Sequence, residues 1–229
     1  MIRRPSPNHG PRPANTPIDM LVLHYTGMPE GRAALERMCD AEAKVSAHYM
    51  IDEDGTVYAL VDEDRRAWHA GVGSWRGHDE INSRSIGIEL VNPGHEFGYR
   101  AFPMAQMEAL AELAPAILAR HPIPSRNVVG HADVAPTRKE DPGELFDWAW
   151  LAARGVGLWP KTDMRAAPRS PAQVPGMLTR WGYAFEPGQI KPALIAFQRH
   201  FRPARFDGVA DAETISRLAA LLATIGDAP

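Results

Sequence analysis

The sequence predicts an α/β or α+β fold in which helices cover a central sheet, followed by a small all-α C-terminal region. Two observations support it. Short β-branched and aliphatic runs alternate with segments of helical periodicity up to about residue 150. A stretch rich in Gly, Pro and charge then separates these elements from shorter helical segments. With 45% hydrophobic and 23% charged residues, the 229-residue chain has the composition of a globular protein with a substantial core.

The first predicted elements follow a Pro-rich segment, residues 1–17, which we expect to be a flexible arm. Residues 18–26, "IDMLVLHYT", form a short apolar run typical of a buried strand. Residues 31–44 have helical spacing and good helix formers. The Asp54-Gly55 pair between two further apolar runs predicts a hairpin, because Asp-Gly favours the positive φ angles of a tight turn. Residues 84–92, "RSIGIELVN", predict another strand.

The later elements complete the first domain, which we place at residues 18–154. Residues 103–121 predict a long amphipathic helix, bent at Pro115 because proline removes a backbone donor. A short strand, "NVVGH", precedes the last loop of the domain. We interpret residues 155–173 as a linker and 174–229 as a helical module. The core of this module has to come largely from its aromatic residues Trp181, Tyr183, Phe197 and Phe201.

Composition excludes several classes of protein. A formal net charge of −3 gives no electrostatic case for nucleic-acid binding. The longest apolar runs fall far short of the ~20 residues that a membrane-spanning helix needs. A single cysteine, Cys39, excludes an intramolecular disulfide framework. The N-terminus lacks the apolar region of a secretory signal, so we expect a cytoplasmic protein, or a periplasmic or extracellular one if the true start lies upstream.

Three residues have the chemistry of a catalytic zinc site. His24 ends a predicted strand, His131 follows another, and Asp141 lies in the next loop. Catalytic zinc takes three such ligands and leaves one position open for water. The spacing alone is not diagnostic, and hydrogen-bonded histidines beside a solvated charged loop fit it as well.

Five sequence blocks carry a resemblance to a known family. They are "VLHYT", "SAHYMIDEDGTVYALV", "AWHAG", "SIGIELVNPG" and "VVGHADVAPTRKEDPG". In order and approximate spacing, over about residues 18–152, they resemble type-2 zinc N-acetylmuramoyl-L-alanine amidases, relatives of phage amidase endolysins and animal peptidoglycan recognition proteins. The tail, "AFQRHFRPARFDGVADAETISRL", is similar to the peptidoglycan-binding module often appended to wall hydrolases. The resemblance implies a mixed central sheet flanked by helices.

The resemblance also implies roles for individual residues. His24, His131 and Asp141 match the ligands of one zinc ion. Glu89 matches the carboxylate that handles the proton of the attacking water, and Lys139 matches the lysine that stabilises the developing oxyanion. The implied reaction is hydrolysis of the amide bond between N-acetylmuramic acid and L-alanine.

A second set of residues is expected to contact substrate. His48 and His69 lie in family-matching blocks, where they would contact substrate or support the zinc site, although structural histidines fit equally well. We expect Trp75 and Asn92 to line the substrate groove and Trp68 to be a core residue.

The predicted function is therefore a zinc amidase acting on peptidoglycan or muropeptide fragments, with a role in cell-wall recycling. One alternative is a non-catalytic peptidoglycan-binding protein on the same fold, but the residues at all three ligand positions are competent. The other is a phage-type endolysin, which shares the chemistry. The absent export signal favours recycling of imported fragments, whereas the tail module is typical of enzymes that meet intact wall.

Overall fold

The computed structural model describes residues 1–161 and 170–226. The strands are Ile2–Arg3 (β1), His9–Pro11 (β2), Met20–Tyr25 (β3), Tyr49–Ile51 (β4), Val57–Ala59 (β5), Arg65–Ala67 (β6), Ser85–Leu90 (β7) and Val128–Gly130 (β8). The helices are Gly31–Cys39 (α1), Ile81–Arg84 (α2), Gly94–Phe97 (α3), Met104–Arg120 (α4), His131–Val134 (α5), Trp148–Ala152 (α6), Val174–Trp181 (α7), Ile190–Phe201 (α8) and Ala212–Thr224 (α9).

The central sheet is mixed, as predicted. Across the described residues its strand order is β1-β5-β4-β7-β3-β8. The three strands β7, β3 and β8 are parallel neighbours, while β5 runs antiparallel to β4 through the predicted Asp54-Gly55 hairpin. Helices cover the sheet on both sides, so the predicted fold class is confirmed.

Strand β3 shows why the sheet needs helices on both faces. Its residues alternate between two hydrophobic clusters, Met20 and Val22 in one and Leu21 and Leu23 in the other, and all four are buried. The predicted long helix, α4, covers the Leu21 face and contains Pro115.

The C-terminal helices cover the opposite face of the sheet. Trp181, Tyr183, Phe197 and Phe201 are buried in the same cluster as Met20 of β3. We predicted that these four aromatic residues would supply most of the core of a separate module. They are buried as predicted, and they also pack in one core with the sheet. Of the predicted linker, residues 162–169 lie outside the described residues.

The N-terminal segment differs from the flexible arm that we predicted. Strand β1 pairs in parallel with β5, and β2 pairs antiparallel with β6 in a small second sheet. The buried amide of Asn8 donates to the carbonyl oxygens of Asp40 and Val45 at 2.7 and 2.9 Å. Proline favours extended backbone, which a sheet edge accepts, so the Pro-rich composition did not imply disorder.

No helix within residues 1–161 and 170–226 is long and apolar enough to cross a membrane.

Candidate metal centre and active-site cleft

The site lies where three parallel strands end. His24 of β3 is the register partner of Glu89 on β7. On the other side of β3, Leu23 is paired with Gly130, so His131 comes directly after the end of β8 and begins α5. Sites of α/β proteins commonly form at the carboxyl ends of parallel strands, because the following loops converge there.

The third candidate ligand, Asp141, is brought in by the loop after α5. Its carbonyl oxygen accepts a hydrogen bond from the Ala132 amide at 2.9 Å. Gly130 makes this approach feasible, since a Cβ atom at that position would lie 2.7 Å from Cδ of Pro142. The absence of a side chain at the end of β8 therefore lets the loop pack against the strand.

The three predicted zinc ligands converge. Nδ1 of His24 lies 3.0 Å from Nδ1 of His131, and Oδ2 of Asp141 lies 3.1 Å from each. All three residues are buried. Two imidazole nitrogens and one carboxylate oxygen are thus positioned to bind one ion.

A chain of hydrogen bonds sets the protonation of His24. The hydroxyl of Ser85 donates to the carbonyl of Ile81 at 2.6 Å, so its oxygen is left to accept from Nε2–H of His69 at 3.1 Å. Nδ1 of His69 then accepts from Nε2–H of His24 at 2.9 Å. Nδ1 of His24 consequently faces the site as a bare lone pair.

His131 is prepared in the same way. Its Nε2 lies 2.8 Å from the carbonyl oxygen of Ala70 and donates to it, which directs Nδ1 toward the other two ligand atoms. Burial, reinforced by the neighbouring His131, lowers the pKa of His24 to about 4, so His24 is neutral at pH 7. Three atoms that can each offer a lone pair thus lie 3.0 to 3.1 Å apart. This donor set fits a divalent cation, and its N, N and O ligands suit zinc.

The ligand atoms face a cleft of about 360 Å³ that Glu89 and Lys139 also line. Oε2 of Glu89 is buried and has no hydrogen-bond partner among the described residues. Burial, followed by the charge of Asp141, raises the pKa of Glu89 well above its usual value, and Lys139 partly opposes this. A carboxyl group whose pKa is raised takes up a proton more readily than an ordinary carboxylate, which suits a proton-transfer role.

The predicted substrate-contacting residues separate into two groups. His69 lines the cleft, whereas His48, Trp75 and Asn92 are buried elsewhere and do not. Trp68, which we predicted to be a core residue, is half-buried and lines the cleft. The two tryptophans thus have the reverse of the expected positions.

The side chains of His48 and Asn92 form hydrogen bonds with the backbone. Nδ1 of His48 accepts from the Gly87 amide at 2.9 Å. The side chain of Asn92 donates to the carbonyl of Arg100 at 2.7 Å and accepts from the Gly94 amide at 3.1 Å. Buried polar groups need such partners, and these bonds turn both side chains away from the cleft.

Trp75 is a core residue. Its ring packs edge-on against Tyr183, with centroids 5.2 Å apart, and its Nε1 donates to Asn127 at 3.3 Å. The segment that follows α7 thus covers the indole that we expected to face substrate.

The cleft also contains residues that the sequence did not single out. Thr26, Arg37 and Ser46 line it together with the ligands. Arg37 lies on α1, and no motif distinguishes it from the other charged residues of that helix.

Comparisons with known proteins agree with this geometry. A family model described as N-acetylmuramoyl-L-alanine amidase matches residues 14–144. The chain is 39% identical to the N-acetylmuramoyl-L-alanine amidase AmiD of Escherichia coli over 234 residues, which cover 91% of this chain and 84% of AmiD. It is 37% identical over 168 residues to the 1,6-anhydro-N-acetylmuramyl-L-alanine amidase AmpD of Citrobacter freundii, covering 66% of this chain and 88% of AmpD.

Two solved structures are similar over nearly the whole chain. E. coli AmiD, in complex with the substrate anhydro-N-acetylmuramic acid-L-Ala-D-γ-Glu-L-Lys, superposes with a TM-score of 0.83 at 38% identity, covering 98% of this chain and 94% of AmiD. AmpDh3 of Pseudomonas aeruginosa, in complex with an anhydromuramic pentapeptide, gives 0.82 at 33% identity, covering 97% and 96%. Both matches therefore include the C-terminal helices.

Proposed function

The chain belongs to the N-acetylmuramoyl-L-alanine amidase family, and we propose that it hydrolyses muropeptides with one zinc ion held by His24, His131 and Asp141. The bond cleaved is the amide between N-acetylmuramic, or anhydromuramic, acid and L-alanine. The carrying observation is the set of three ligand atoms, 3.0 to 3.1 Å apart, facing a cleft that also contains a buried carboxyl oxygen. The muropeptides bound by AmiD and AmpDh3 support this substrate class.

Zinc in this position supplies Lewis-acid polarisation of the scissile carbonyl and lowers the pKa of water toward ~7. Glu89 accepts the proton of the attacking water at Oε2, the atom that has no hydrogen-bond partner in the part of the chain that the structure describes. It then returns that proton to the L-alanine nitrogen as the C–N bond breaks. The raised pKa of Glu89 fits both steps, because a carboxyl group with a raised pKa is a better proton acceptor than an ordinary carboxylate and can return the proton later.

Lys139 stabilises the negative charge that grows on the carbonyl oxygen of the muramic acid lactyl group. It lines the same cleft as Glu89 and the ligands. Its ammonium group also limits the rise in the pKa of Glu89, so the two residues are electrostatically coupled.

The remaining cleft residues bind and orient substrate. His69 holds the tautomer of His24 and so acts through that ligand. Trp68 offers an aromatic face on which a sugar can stack. Arg37, which also lines the cleft, offers a guanidinium for a carboxylate of the peptide.

The test is a paired rate measurement on the zinc-loaded protein, with anhydromuropeptides and purified sacculi as substrates. We expect one zinc per chain and release of peptide from anhydromuropeptides. Rapid solubilisation of sacculi instead would favour the endolysin alternative. Bound zinc without release of peptide from either substrate would favour the non-catalytic binding protein.

A further inference from the structure

We infer that the C-terminal tail, taken as residues 174–226, positions the metal centre. Tyr183, between α7 and α8, and His200, on α8, act through Asp133 on the ligand His131. The inference rests on the proposed zinc site. It assigns the tail a role in holding zinc, in addition to any contact it makes with cell-wall material.

Asp133 connects the tail to the metal centre. It lies two residues beyond His131 on α5, and only 2% of its surface is exposed. Its Oδ2 accepts from the Gly130 amide at 2.7 Å and from Nδ1–H of His200 at 2.7 Å. Its Oδ1 accepts from the hydroxyl of Tyr183 at 2.5 Å. Two of the three donors to this buried carboxylate therefore come from the tail.

Stacking fixes the orientation of the His200 ring. The ring lies 3.7 Å from the Trp148 ring, centroid to centroid, at an interplanar angle of 19°. Phe201 stacks with it at 3.8 Å and 7°. Rotation of the ring away from Asp133 would disrupt both stacks, so Nδ1 is held toward the carboxylate.

The same helix, α8, also contacts the loop of the third ligand. Arg199 pairs with Glu140 at 2.5 Å and with Glu144 at 3.4 Å, on either side of Asp141 in the chain. Adjacent residues of α8 thus contact both segments that supply ligands after β8. The Arg199 pairs are partly exposed and contribute less than the buried Asp133 contacts.

Positioning matters here because the three ligand residues come from separate segments of the chain. One ion can be held only if the atoms of His24, His131 and Asp141 keep their spacing of 3.0 to 3.1 Å, so the structure around each segment has to maintain it. Mutating a residue that hydrogen-bonds to a metal ligand or holds it in place commonly changes metal affinity by about 10- to 100-fold. We therefore expect loss of the Asp133 donors to weaken zinc binding.

The experiment compares full-length variants by zinc competition with a chromophoric chelator. Tyr183→Phe removes only a hydroxyl, and His200→Phe keeps an aromatic ring but removes the donor. We expect each to raise the zinc Kd by roughly 10-fold, with turnover restored at saturating zinc. His200→Asn keeps an amide N–H near the position of Nδ1 and should restore most of the affinity.

Leu218→Ala is the matched control, because Leu218 is fully buried in the same cluster on α9 and has no polar contact with Asp133. It should lower the thermal unfolding midpoint and leave the zinc Kd unchanged. Equal weakening of zinc binding in this variant would reduce the effect to general destabilisation and overturn the inference.

Unchanged zinc affinity in Tyr183→Phe would also overturn it, and this variant decides the question if His200→Phe does not fold. Failure of the wild-type protein to bind zinc would instead refute the proposed function itself. The two failures are therefore distinguishable.

Discussion

At the scale of single residues, the metal centre depends on which ring nitrogen of His24 is protonated. Ser85 accepts a hydrogen bond from His69, and His69 accepts one from Nε2–H of His24, so the lone pair of His24 lies on Nδ1. Glu89 differs, since its Oε2 is buried without a hydrogen-bond partner within residues 1–161 and 170–226, and burial raises its pKa. The same cleft thus contains atoms that can bind a metal and a carboxyl group able to take up a proton.

Glu89→Gln should retain zinc and lose at least about 100-fold in turnover, because an amide cannot carry the proton. Asp141→Ala should lose the metal, because it removes the only anionic ligand. Zinc content by elemental analysis and peptide release from an anhydromuropeptide check both. Normal turnover by the glutamine variant would remove Glu89 from the mechanism.

His48 should make stability depend on pH. Burial, followed by the charge of Arg12, lowers the pKa of His48 to about 3, against an ordinary value of about 6.5 in an unfolded chain. Between these values the unfolded state binds a proton that the folded state does not. The free energy of unfolding should therefore fall by about 1.4 kcal/mol per pH unit as pH drops below 6.5, with no contribution above it.

Urea unfolding at a series of pH values between 7 and 4 measures this slope. His48→Asn should reduce the slope by about one proton, whatever it does to stability at neutral pH. An identical slope in the variant would show that His48 titrates normally in the folded protein.

At the scale of elements, β7 leaves room at Gly87 for the ring of His69, which orients His24. A Cβ atom at Gly87 would lie 2.5 Å from Cγ of His69. Gly87→Ala should therefore displace His69 and raise the zinc Kd by about 10-fold or more, measured by chelator competition.

Gly176→Ala on α7 is the matched control for that substitution, because no described atom outside its chain neighbours and the helix's own backbone lies within 4 Å of a Cβ there. It should leave zinc affinity unchanged, and alanine should slightly stabilise the helix. If Gly87→Ala bound zinc as tightly as the wild-type protein, His69 would not support the ligand His24.

The strands, the hairpin and the ligand positions could be predicted because each has a local signal. An apolar run that ends in His24, or a "VVG" run followed by His131, marks a strand end in the sequence itself. The partner of a side chain has no such signal. His48 and His69 lie in equally distinctive blocks, and only the three-dimensional contacts show that His48 bonds to a backbone amide while His69 faces the cleft.

At the scale of the whole molecule, the tail is part of the core. We expect a chain ending at residue 161 not to fold cooperatively, because Met20, Val22, Trp75 and Val129 would lose their cover. Exposing each costs about 1.5–3 kcal/mol, and the sum approaches the whole stability of a typical domain. Broad thermal unfolding and binding of a hydrophobic dye would confirm this, whereas a sharp transition would show an independent domain.

This sharing of the core could not be predicted from sequence periodicity. The alternating burial of β3 predicts two covered faces, but it does not indicate which segment covers each. Trp75 is an example. Its place beside a family motif predicted a residue of the substrate groove, and only the structure shows that Tyr183 packs against its ring.

The pairing of His24 with Glu89 across β3 and β7 also restricts where this chain can vary in length. Side chains alternate along a strand, so inserting one residue inside either strand would turn its functional group to the far side of the sheet. Insertions between Gly27 and the start of β4 would leave that pairing intact. New loops, and with them new substrate preferences, are therefore accommodated between the strands rather than within them.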